Sequence, residues 1–72
     1  MEAIKYYHII RYDFDKGYGR TVRRFTNKEI AMNVLINEMG RNKNATFENG
    51  CKVFNNGKYY IIESENSDIL IV

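Results

Sequence analysis

The sequence predicts an α+β domain in which a single antiparallel sheet, in the order β-β-α-β-β-β, carries one helix packed on one face. Three observations predict it. Residues 4 to 14 alternate with the two-residue period of a strand, residues 27 to 39 repeat apolar side chains at helical spacing behind a cap signal, and two Asn-Gly pairs mark tight hairpin turns in the second half.

In the first strand, Ile4, Tyr6, His8, Ile10, Tyr12 and Phe14 share one parity and Lys5, Tyr7, Ile9, Arg11 and Asp13 the other. One face is therefore strongly apolar and the other mixed. Asp15-Lys16-Gly17-Tyr18-Gly19 supplies a turn, and residues 20 to 25 return as the second strand. The register has two readings. A two-residue loop at Lys16-Gly17 sets Ile10 opposite Arg23 and groups Arg20 and Arg24 with Lys5, Tyr7 and Arg11; a three-residue loop moves them across.

Thr26-Asn27-Lys28-Glu29 matches a capping box, with Phe25 and Ile30 spaced for a hydrophobic staple. Ile30, Ala31, Val34, Leu35 and Met39 follow at helical spacing and Gly40 offers a stop, so a helix is expected over about residues 27 to 39. Met32 and Ile36 widen its apolar arc beyond what one sheet needs, which points to a dimer or partner seam: homodimerisation, or recognition of another protein. Asn49-Gly50 and Asn56-Gly57 then divide residues 45 to 63 into a meander. A two-residue loop at Asn56-Gly57 sets Phe54 opposite Tyr59 and Val53 opposite Tyr60, so that Cys51, Val53, Tyr60 and Ile62 share a face. After the polar turn Glu65-Asn-Ser-Asp68, Ile69-Leu-Ile-Val72 is expected to add the last strand.

Size and composition narrow the function. A chain of 72 residues makes one domain, residues 1–72, with a radius of gyration of roughly 11 Å, and buries only about 60% of its unfolded surface. A deep, water-excluding pocket would consume most of such a core. His8 and Cys51 are the only residues of their types, Ser64 and Ser67 the only serines, whereas nucleophilic, acid–base and metal chemistry need several such groups to converge. Binding is expected, and no enzyme activity. Cys51 lies on a core-facing parity with no adjacent basic cluster to activate it, and His8 lacks a partner of suitable chemistry. Asp13-Phe-Asp15-Lys-Gly17 starts like an acidic metal loop, but the remaining oxygen ligands are absent, so neither metal nor cofactor is expected. A lone cysteine, no leader pattern and no apolar run of bilayer length point to the cytoplasm and away from membranes.

Charge gathers in the first hairpin. Lys16, Arg20, Arg23, Arg24 and Lys28 have no acid among them, and Tyr7, Arg11 and Tyr18 interleave the basic residues with aromatics. The candidate contact surface is Tyr7, Arg11, Tyr18, Arg20, Arg23 and Arg24. Arginines bind phosphate and exposed tyrosines stack on unpaired bases, so the surface suits DNA or RNA as well as protein. The plainer reading is a solvated sheet face whose arginines lie over tyrosine rings.

The assembled picture resembles a class: the very small proteins of bacteriophages and mobile elements, including anti-CRISPR and other anti-defence inhibitors. The resemblance rests on size, on Asn-, Lys-, Ile- and Tyr-rich usage (Asn42-Lys-Asn44; Asn55-Asn-Gly-Lys-Tyr-Tyr-Ile-Ile62) and on a compact sheet-plus-helix unit without a catalytic set. It implies an inhibitor that binds and blocks a host protein or protein–nucleic-acid complex. The strongly acidic surface of DNA-mimicking inhibitors is absent, and no functional residue is carried over.

Overall fold

The computed structural model describes residues 4–39 and 45–72. Its elements are β1 (Tyr6–Asp13), β2 (Tyr18–Phe25), α1 (Lys28–Asn37), β3 (Thr46–Glu48), β4 (Cys51–Phe54), β5 (Gly57–Ser64) and β6 (Leu70–Ile71). The six strands form one antiparallel sheet in the order β3-β4-β5-β1-β2-β6, and with the single helix this is an α+β fold; four strands follow the helix where the expected order had three, because two turns divide residues 45 to 64 into three strands before β6. No described helix is long and apolar enough to cross a membrane.

The turns explain the register. At Asn49-Gly50 both residues take positive φ, 51° and 78°, and join Glu48 to its partner Cys51, the tight turn that Asn-Gly favours. The second Asn-Gly pair behaves differently. Asn55-Asn56 forms the connection and Gly57 enters β5 opposite Phe54, so the expected pairs Phe54–Tyr59 and Val53–Tyr60 give way to Phe54–Gly57 and Val53–Lys58. Gly57 is needed in the ladder because a Cβ there would overlap the backbone carbonyl of Tyr12. The shift is by two residues, so Cys51, Val53, Tyr60 and Ile62 still share a face.

Neither reading of the first hairpin holds. Phe14-Asp15-Lys16-Gly17 forms a four-residue loop between the paired Asp13 and Tyr18. The Asp13 carboxylate accepts from the Asp15 and Lys16 amides (2.9 and 3.3 Å), and Gly17, at φ 76°, donates to the Asp13 carbonyl at 2.8 Å. Beyond Thr21, which pairs with Ile10, a bulge at Val22 shifts the register so that Arg23 pairs with Ile9 and Arg24 with His8. Arg20 and Arg23 consequently lie on the parity of Arg11, and Arg24 lies on the opposite face.

Helix α1 begins one residue later than the capping box suggested. The cap is Asn27, whose side-chain oxygen accepts from the Glu29 and Ile30 amides (2.8 and 3.2 Å), in keeping with the stronger preference for asparagine over threonine. That displacement takes Phe25 and Ile30 out of staple register, and Ile30 is exposed. The expected stop at Gly40 lies outside the described residues. The helix covers the mixed parity of β1: Ala31 and Leu35 are fully buried, as is Ile9, paired there with Ile61. Lys52 donates to the Ile36 carbonyl, and Arg23 pairs with Glu38 at 3.1 Å, pinning the helix C-terminus to the same face.

The other face has no second layer among the described residues, and the smallest extent of the molecule, 17 Å, leaves room for sheet and helix alone. Accessible surface is 5135 Å², against about 4,700 Å² for a monomer of this mass. Ile10 and His8 on this face are nonetheless sealed from solvent. His8 Nδ1 lies 3.1 Å from the Thr21 hydroxyl, which also accepts from the Ile69 amide at 3.0 Å; Nε2 is buried without a hydrogen-bond partner.

Candidate interaction surface at the hairpin tip

Asp13 organises the tip, and its turn places Lys16 and Tyr18 beside the Arg11–Arg20 pair. Together with Asp13 and Val22 these residues line an open concavity of about 410 Å³ on the helix side of the sheet. Three cations surround one carboxylate, and that carboxylate is engaged by backbone amides. Arg11 is positioned by aromatics: its guanidinium lies 5.4 Å from the Phe54 ring centroid and 5.8 Å from that of Tyr59, whose hydroxyl it meets at 3.3 Å. Arg20 and Lys16 have no ion-pair partner among the described residues. Phe14, in the loop, is half exposed, and Tyr18 and Val22 are also exposed. The tip is braced from behind by Phe14, whose amide donates to the Asn56 carbonyl at 2.9 Å.

The structure brings Arg11, Tyr18 and Arg20 together and disperses the other three residues of the expected surface. Arg23 is paired with Glu38 and lies 5.1 Å from the Phe25 ring centroid. Arg24, on the far face, donates to the Ser67 carbonyl and lies over Tyr6. Tyr7 sits at the opposite end of β1, where hydrogen bonding to the Glu63 carboxylate, with burial adding to it, raises its phenol above the ordinary value. Met32 is half-buried in a groove beside Tyr7, Ile61 and Glu63, while Ile36, one turn on, is exposed.

The contributions of Lys16, Phe14 and Val22 to the tip depend on a four-residue loop and a bulge. Asp13 beside Gly17 is a turn signal, but nothing in residues 20 to 25 marks the bulge. Among the described residues no group of three or more His, Cys, Asp or Glu side chains could hold a metal ion. What the concavity offers is aromatic and aliphatic surface ringed by guanidinium and ammonium groups, the composition that anchors protein interfaces. No protein-family model, curated protein or solved structure matches the chain.

Proposed function

We propose that the protein is a non-enzymatic interaction protein that uses the hairpin tip to dock on an acidic surface of a host protein complex and block it, in the manner of small phage or mobile-element inhibitors. One observation carries the reading: Tyr18, Val22, Arg11, Lys16 and Arg20 converge in one concavity that faces solvent. Tyrosine and arginine are the residues that most often dominate binding energy, and here their backbones are fixed by a sheet. Preformed geometry lowers the ordering cost of association. Nucleic-acid binding by the whole hairpin has less support, because the bulge sends Arg24 to the opposite face and Glu38 neutralises Arg23.

Affinity purification of the tagged chain from a bacterial lysate, with and without nuclease, tests the reading. One protein complex retained at near-stoichiometric amount after nuclease, and lost with Arg20→Glu, supports it. Recovery of nucleic acid alone, or of a complex indifferent to Arg20→Glu, overturns it.

A further inference from the structure

The helix-free face of the sheet carries a separate set of aromatic and cationic groups. Tyr6 and Tyr12 of β1 and Tyr60 of β5 lie on it, all half-buried. The Arg24 guanidinium is 5.2 Å from the Tyr6 ring centroid, and the Lys58 ammonium is 5.8 and 5.3 Å from those of Tyr12 and Tyr60. Neither cation has a carboxylate partner among the described residues; the ion pairs found there, Lys5–Glu63 and Arg23–Glu38, belong to the helix side. Tyr6 and Tyr12 are six residues apart, about 20 Å along the strand.

We infer that this face is a platform for single-stranded nucleic acid, with the tyrosine rings stacking on unpaired bases and Arg24 and Lys58 taking the adjoining phosphates. Arg24 and Lys58 cover these half-buried rings with flexible side chains, so that moving each cation onto a phosphate uncovers ring surface, and bases present matching area whatever their identity. Phosphates supply the negative charge that both cations lack. A duplex fits poorly, since its base faces are already stacked. A second copy of the chain also fits poorly. Two-fold stacking of the face on itself would bring Arg24 and Lys58 of both copies together, and Glu48, at the β3 rim, is the one strand carboxylate on this parity. The platform is independent of the hairpin tip, because Arg11 and Arg20 occupy the other parity.

The test titrates the full chain into fluorescein-labelled oligothymidine and oligouridine of about 12 nucleotides, and into a duplex of equal length, at about 50 mM salt. Anisotropy reports binding, and the emission of the six tyrosines, unmixed with tryptophan, reports stacking. Single strands should bind more tightly than duplex and quench tyrosine emission. Tyr12→Leu and Lys58→Gln should each weaken binding roughly tenfold. The log–log salt slope should be about −1.4 for two phosphates and fall to about −0.7 in Lys58→Gln. Arg24→Gln, at the far end of the face, gives the same readout should Tyr12→Leu fail to fold. Arg20→Glu should leave oligonucleotide affinity unchanged. Absence of single-strand binding, equal affinity for duplex, or loss on Arg20→Glu would overturn the assignment. So would a dimer in sedimentation that the oligonucleotide does not dissociate.

Discussion

Ile9 and Ile10 are neighbours on β1, occupy opposite faces of the sheet and are equally inaccessible to water, yet they are sealed by different means. Ile9 lies under α1, in the layer that contains Ala31 and Leu35. Ile10 lies between Thr21 and Tyr60 of the flanking strands, on a face with no second layer. A small domain has too few residues to build two apolar layers, and here long side chains lying along the sheet take the place of one. The helix side packs apolar side chains beneath α1, and the open side covers Ile10 and His8 with half-buried rings and long cationic side chains.

Substitutions can break or sharpen this contrast. Leu35→Ala, beneath the helix, should cost about 3 kcal/mol, a lowering of Tm by roughly 15 °C, against a total stability of about 4–11 kcal/mol for a chain of this length. Ile10→Ala should cost as much if the open face is as dry as it looks; a loss below about 1 kcal/mol in chemical denaturation would mean that water already reaches it. Thr21→Val should cost about 1–3 kcal/mol, because it strands His8 Nδ1 and the Ile69 amide together. Amide exchange should then accelerate at residues 69 to 71 more than in α1, and uniform acceleration would show that the Thr21 bridge does not hold the C-terminal strand. Asn27→Ala should cost about 1 kcal/mol and leave the open face untouched.

The smallest effect is an alkaline one. Tyr7 and Tyr60 both ionise above the ordinary phenol value of 10.0, Tyr7 through hydrogen bonding to Glu63 and Tyr60 through burial, with Cys51 and Tyr12 adding to it. A raised native value means that the folded state holds the proton more tightly. The associated stability is complete below pH 10.0 and is lost as pH rises through the native values. Phenolate absorbance during an alkaline titration should show Glu63→Gln bringing Tyr7 down while leaving Tyr60 in place.

Much of the fold was legible because its determinants are local. The alternation of residues 4 to 14, the polar cap before Ile30 and Ala31, and Asn49-Gly50 each act within a few residues, and each produced the expected element. Where a second segment intervened, local reading failed. Gly57 looks like a turn residue, but the close approach of Tyr12 on a neighbouring strand draws it into the ladder. The alternation of β1 leaves open which face the helix takes; it is the mixed parity, where Ile9 and Ile61 form a cross-strand pair and Lys52 and Arg23 hold the helix end. Of the expected basic surface, Arg11, Tyr18 and Arg20 lie together because they share the tip half of the hairpin. Arg23 and Arg24 lie past the bulge, whose position depends on pairing between strands and leaves no mark in composition.

That extra residue at Val22 works as a frame shift within a single strand. Continued without it, the ladder would turn Arg23 to the open face, away from Glu38, and carry Phe25 away from the side on which the chain must enter α1. With it, the stretch before the bulge builds the hairpin tip and the stretch after it meets the helix, each with its own phase of inward and outward side chains. Two surfaces that an uninterrupted strand would lock into one alternation can therefore accept substitutions independently.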